Sequence, residues 1–187
     1  MKKIKFSLES EIDKIIKAYN LNNNWNKAII KDVQKFKNKK IKNISASRKN
    51  LKKLSFVTID GEDAKDFDDA VYCEKIEKNW KLYVAIADVA HYVESNSNID
   101  KEAKRRGTST YFPGYVIPML PEVLSNDLCS LKPNEDKLTV VAEMIISDKG
   151  DLKSYKFYNA IINSSARLTY SQVEEHFKKK YIFKNKN

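Results

Sequence analysis

At 187 residues, 42% hydrophobic and 32% charged, the chain is long and apolar enough to bury the core of one medium domain. That composition excludes a disordered tail, and no apolar run approaches the roughly 20 residues that span a bilayer, which excludes a transmembrane helix. Lys+Arg 35 against Asp+Glu 25 gives a formal net charge of +10, a surplus that favours polyanionic partners such as nucleic acid over a solvated lysine surface only if the lysines cluster.

The first residues, Met1-Lys2-Lys3-Ile4-Lys5, are not followed by the apolar core of a signal peptide, so the expected location is cytoplasmic, with no membrane partner. Ile12, Ile15, Ile16 and Tyr19 follow the i, i+3, i+4, i+7 spacing of one amphipathic helix, and Trp25, Ile29, Val33 and Phe36 repeat it. A basic stretch follows from Lys35 to Lys53, including Lys39, Lys40, Lys42, Lys49, Lys52 and Lys53; it reads either as a linker that touches nucleic acid or as a solvated connector.

From Ser55 the pattern becomes mixed α/β. Phe56–Ile59, Ala70–Cys73 and Trp80–Val89 are β-rich runs, with Lys78-Asn79 as the expected hairpin turn. Ile99–Arg106 predicts a helix capped by Gly107. Thr110-Tyr111-Phe112 precedes a loop punctuated by Pro113, Pro118 and Pro121, and Leu138–Ser147 and Leu152–Ile162 form a long hairpin through Asp148–Asp151. Thr169 and Gln172 form a capping box that opens a final helix over Tyr170–Lys178. The tail to Asn187 is polar and reads as a chain cut short. No internal repeat is found. The two cysteines, Cys73 and Cys129, lie among apolar neighbours and are expected as buried, reduced thiols. With His91 and His176 the only histidines beside them, a structural zinc site is not expected.

The segment Thr58–Tyr72, TIDGEDAKDFDDAVY, carries most of the functional signal: a strand, a loop with Asp60, Asp63, Asp66, Asp68 and Asp69, then a second strand. Carboxylates packed this closely repel one another unless a cation sits among them. Magnesium (Mg2+) takes few direct protein carboxylates and leaves its remaining positions to water and substrate phosphate. Asp60 at a strand end and Asp69 at the next strand's start can converge as two such ligands. Asp66 and Asp68 could then hold water, orient a second ion or accept a proton from an attacking water. An EF-hand is excluded, since its Gly and closing bidentate Glu are missing and β runs flank the loop. A solvated acidic loop is the alternative.

The same residues resemble the signature of the ribonuclease II and ribonuclease R family, exoribonucleases with an RNB catalytic domain. The similarity continues, in the family's order, through Ala85–Val93 (AIADVAHYV), Arg106–Pro121 (RGTSTYFPGYVIPMLP), Glu122–Leu131 (EVLSNDLCSL) and Ala166–Val173 (ARLTYSQV), covering about Leu51–Phe177. The resemblance implies a truncated RNB-type α+β domain over 55–187, preceded by a helical basic lead-in over 1–54 that comprises the end of the cold-shock region and a linker. It implies a processive enzyme acting on the 3′ end of single-stranded RNA, releasing nucleoside 5′-monophosphates with Mg2+. Asp60, Asp66, Asp68 and Asp69 match the family's catalytic aspartates, with Asp60 and Asp69 as metal ligands and Asp68 the least dispensable; Asp63 is not among them. Tyr111 matches a tyrosine that contacts the terminal nucleotide, and Tyr170 one along the RNA path.

For Arg105, Arg106 and Arg167 the sequence leaves phosphate contacts and carboxylate pairing both open; His91 and Trp80 read as packing residues. The chain departs from the family in lacking the later part of the catalytic domain, with its further acid and arginine, and the flanking OB-folds. It also carries Asn50-Leu51-Lys52 where the family often has Asp-Leu-Arg, which bears on any salt bridge made there. A second chain supplying the missing part is one arrangement this implies. The alternative is a noncatalytic or decayed fragment that only binds RNA.

Overall fold

The computed structural model describes residues 7–38 and 47–179. Lys39, Lys40 and Lys42 of the basic stretch, and the polar tail over 180–187, lie outside the described residues. In chain order the elements are α1 (Leu8–Ala18), α2 (Lys27–Gln34), β1 (Lys49–Asn50), β2 (Val57–Asp60), β3 (Asp69–Ile76), β4 (Asn79–Ala87), α3 (Asn98–Arg106), β5 (Thr110–Phe112) and β6 (Tyr115–Ile117). After them come β7 (Asp136–Ser147), β8 (Leu152–Asn163), β9 (Ala166–Thr169) and α4 (Tyr170–Lys179). Among the described residues no helix is long and apolar enough to cross a membrane.

Two compact units result. One is formed by the described residues of Met1–Lys39 with Tyr92–Glu122, the other by those of Lys40–His91 with Val123–Asn187. In the first, Asn26 caps α2 by accepting from the Ile29 amide at 2.9 Å, and Ser97 caps α3 by accepting from the Asp100 amide at 3.2 Å. Gly107 closes α3 at φ +73, a backbone conformation that a side chain disfavours. Ile12, Ile29, Phe36 and Ile99 are buried, whereas Ile15 and Tyr19 of the first apolar stripe remain exposed. Arg106 stacks on Trp25 at 3.7 Å and donates to the carbonyls of Pro118 and Asn24 at 2.6 and 3.0 Å. Arg105 and Arg106 both pair with Glu102. The hydrogen bond from Arg105, ahead of burial's opposing effect and with further help from Arg106 and Asn22, holds that carboxyl at about 2. For these two arginines the carboxylate reading is the one realised.

The second unit is a seven-stranded sheet in the order β1-β8-β7-β4-β3-β2-β9, with the β1/β8 and β2/β9 pairs parallel and the rest antiparallel. Side chains alternate across a sheet with period two. The registers Ala70↔Ala85, Ala85↔Val141 and Thr139↔Ala160 put small residues on one face, and these are fully buried or nearly so beside Phe56, Thr58 and Ile162. The opposite face carries Trp80, Ile86, Val140, Tyr155 and Phe157 exposed. Cys73 is on that face and exposed, while Cys129 is buried. The expectation of two buried thiols therefore fails at Cys73, because its register partner is Leu82 on the uncovered side. Trp80 is likewise only partly packed, with the Lys75 ammonium 5.6 Å from its ring.

The β3–β4 turn is Glu77-Lys78, one residue earlier than expected, with Glu77 taking the positive φ of 52. The fourth strand ends at Ala87, and Val89–His91 form a 3-10 turn whose last amide donates to the Asp88 backbone and side chain. The proline-punctuated segment contains β6, paired with β5. Near Asn50, Lys52 reaches Asp136 at 3.0 Å, and Arg48 forms a buried salt bridge with Asp88 at 2.5 Å. Ion pairing at this point of the fold thus uses residues other than the family's Asp and Arg.

Glu143 on β7 is buried and accepts from Tyr158, with Lys156, Lys81 and Lys49 within 3.1–3.3 Å. Burial raises its pKa, but the hydrogen bonds from Tyr158, Lys156, Lys81 and Lys49 together prevail and hold it at about 2. A carboxyl held low stabilises the fold above its ordinary pKa of 4.5, and that contribution is lost as the pH falls toward about 2. Since the lysines are partly solvated, Glu143→Gln is expected to cost about 2 kcal/mol at neutral pH. In urea unfolding the gap between parent and variant should close as the pH drops from 4.5 toward 2; a gap independent of pH would contradict this.

Candidate active site at the end of the sheet

The acidic loop joins two neighbouring strands at one end of the sheet. Asp60 is the last residue of β2 and Asp69 the first of β3. Parallel pairing sets Asp60 opposite Thr169, which caps α4 reciprocally with Gln172 through bonds of 2.9 and 3.2 Å. The expected capping box is present, and Tyr170 opens the helix beside it.

Between the strands the loop is fastened by its backbone. Ser130, fully buried, accepts from the Phe67 amide at 3.1 Å and donates to the Lys65 carbonyl at 2.8 Å. The Leu131 amide donates to the Phe67 carbonyl at 2.8 Å, and the Ala87 amide to that of Asp68 at 2.9 Å. Arg167 on β9 donates through Nη2 to the carbonyls of Gly61 and Glu62, each at 2.6 Å. Phe67 is buried as the loop's apolar anchor, with Asp66 half-buried and Asp68 exposed on either side of it.

Electrostatics bind Asp60, Asp66, Asp68 and Asp69 into one group. The pKa of Asp60 is raised by burial first, then by the charges of Asp69 and Asp66, with Arg167 opposing. That of Asp68 is raised by burial and then by Asp66, Asp69 and Asp60. Asp68 as a residue keeps broad solvent contact, so protein crowds its carboxyl from one side only. Asp63 is exposed and contributes to neither shift. Among the described residues none of the four grouped aspartates forms a salt bridge, and Asp60 Oδ2 is buried without a hydrogen-bond partner. In a chain with a net charge of +10, these four carboxylates thus keep a local negative charge that no described side chain pairs with.

Among the described residues no three His, Cys, Asp or Glu side chains form a ready metal cage. The donor set still fits magnesium, which needs only one or two direct carboxylates, and the buried, unmatched Asp60 oxygen offers one. The arrangement does not fit a closed structural site.

The block Glu122–Leu131 was legible in the sequence only as a motif; it supplies Ser130 and a π-helical turn at Leu124–Leu128. Cys129 lies behind the site: burial, and secondarily the charge of Asp68, pushes its thiol up to about 12, which makes it inert. The expected nucleotide-contacting tyrosines fall in different units. Tyr111 is on β5 of the first and 68% exposed, so it is not a core residue; Tyr170 is in the second and 65% exposed.

The RNB domain family matches residues 48–186. The chain is 52% identical over 163 residues to ribonuclease R of Escherichia coli, a match covering 87% of this chain and 20% of that protein. It is similar to the solved structures of Mycoplasma genitalium RNase R in complex with ribose methylated single-stranded RNA (TM-score 0.87, 40% identity, 94% of this chain, 28% of that chain) and in complex with double-stranded RNA (TM-score 0.88, 40% identity, 94% and 31%). The chain thus spans about a fifth of the length of the Escherichia coli protein.

Proposed function

The chain belongs to the RNB-domain family, and from that premise we propose that it forms the front part of the catalytic domain of a 3′-to-5′ exoribonuclease. Its substrate is the 3′ end of single-stranded RNA, and its products are nucleoside 5′-monophosphates released processively in the cytoplasm. The observation that carries this reading is the group of four mutually repelling aspartates that no described lysine or arginine pairs with.

Asp60 and Asp69, at the facing ends of β2 and β3, would hold a magnesium ion, with Asp66 and Asp68 beside them. Bound there, the ion supplies charge neutralisation to the scissile phosphate and activates water. Asp68 keeps one side open to solvent and serves as the proton acceptor for the attacking water. The exposed rings of Tyr111 and Tyr170 suit stacking on bases or sugars without regard to sequence. Similarity to a ribonuclease R solved in complex with ribose methylated single-stranded RNA supports the substrate class.

A second reading, a fragment that binds RNA without cutting it, draws on the lack of a three-ligand metal cluster among the described residues. The deciding assay supplies a single-stranded RNA with a 3′ tail to the complete polypeptide carrying this sequence, in magnesium, and follows its products. Accumulating 5′-monophosphates support the nuclease. Retention of the RNA on the protein with no shortening supports the second reading.

A further inference from the structure

We propose that Arg167 is the positioning residue of the acidic loop, fixing the path of the chain just past Asp60 so that the aspartates stay gathered and unpaired. The proposal rests on the metal-site reading given above. Four like charges at the end of two strands push one another apart. Something must hold the loop without neutralising it.

Arg167 has the geometry for this. It lies on β9 in register with Thr58, two residues before Asp60 on β2. One nitrogen donates to both Gly61 and Glu62 carbonyls at 2.6 Å, and the guanidinium carbon is 5.5 Å from the Phe67 ring centroid. A single side chain therefore grips the first two residues of the loop and borders its apolar anchor. Among the described residues the guanidinium makes no salt bridge with Asp60. Its donors are directed at backbone carbonyls, while its charge still favours the ionised form of that carboxyl. A direct ion pair would occupy the oxygen that a metal needs.

Three buried atoms mark the same place. Arg167 Nε, Asp60 Oδ2 and Thr58 Oγ1 make no hydrogen bond of ordinary geometry among the described residues, though the Thr58 side chain still favours the ionised Asp60 carboxyl, and all belong to the β2–β9 pair. Buried polar atoms are nearly always matched, so an unmatched group concentrated on one strand pair points to a functional arrangement. Lysine could supply the charge, but its ammonium on a flexible stem lacks the rigid planar group that sets Nη2 between the two carbonyls and lies beside the Phe67 ring.

The test compares the full chain with Arg167→Ala and Arg167→Lys by amide hydrogen exchange and by Mn2+ titration, read as water-proton relaxation. Both variants should raise exchange at Ala64 and Phe67, whose amides bond Gly61 and Ser130, by about tenfold or more while β7 and β8 stay protected. Mn2+ affinity should fall by a similar factor. Restoration of both readouts by lysine would mean that charge alone acts, and parental behaviour in both variants would remove any role; each overturns the proposal. So does loss of protection through the whole sheet in both variants, which would make Arg167 a fold residue. If the parent binds no Mn2+, the metal-site reading fails, and the exchange data alone decide whether Arg167 positions the loop.

Discussion

Asp68→Asn is expected to slow monophosphate release from 3′-tailed RNA by 10²- to 10⁴-fold, about 3–5 kcal/mol in the barrier, in the complete polypeptide that carries this sequence. Asparagine matches the shape of aspartate but cannot take up a proton, and the carboxyl it replaces is crowded by Asp66, Asp69 and Asp60. Removing one like charge relieves repulsion, so the folded state should be no less stable. RNA retention in the absence of turnover should also persist, which separates loss of chemistry from loss of binding. Asp63→Asn is the internal control: Asp63 is exposed and outside the coupled group, and its loss should leave the rate within about twofold. A fall of less than about tenfold for Asp68→Asn would be too small for a central catalytic group.

Arg48→Met should have the largest effect on the fold. The Arg48 and Asp88 side chains are 6% and 8% exposed and joined at 2.5 Å, and Arg48 also reaches the Thr139 carbonyl at 3.4 Å. Methionine fills much of the volume but leaves Asp88 buried and unpaired, a loss of about 3–5 kcal/mol. For a chain of this size that lowers the melting temperature by roughly 6–20 °C. The consequence reaches the site, because the Ala87 amide next to Asp88 holds the Asp68 carbonyl at 2.9 Å. Urea unfolding measures the loss directly, and a change below about 1 kcal/mol would show that the pair is not what secures this corner. Adding Asp88→Asn to the Arg48 variant should recover much of the loss, since the stranded charge is then gone.

What was legible in the sequence follows from periodicity and chemistry. The β7–β8 hairpin, α3 with its glycine cap and the Thr169–Gln172 box carry signals that span many residues or use residues with one dominant role. The short strands β1, β6 and β9, of two to four residues, have too few positions to show alternation, and β1 and β9 exist through partners distant in sequence. The same holds for the site. Four aspartates in one segment raise the expectation of a cation through their mutual repulsion, whereas Ser130 and Arg167 reach the loop from 63 to 106 residues away, and nothing local to either announces it. Cys73 was misread because an apolar neighbourhood in sequence does not say which face of a sheet will be covered; here one face is left open.

The proposed chemistry requires the aspartates to act together on one cation. Mn2+ titration of the parent chain, Asp60→Asn and Asp69→Asn by water-proton relaxation tests this most directly. Saturable enhancement in the parent that disappears in either variant is the predicted result. Enhancement of equal size and affinity in all three, or none in the parent, would contradict it.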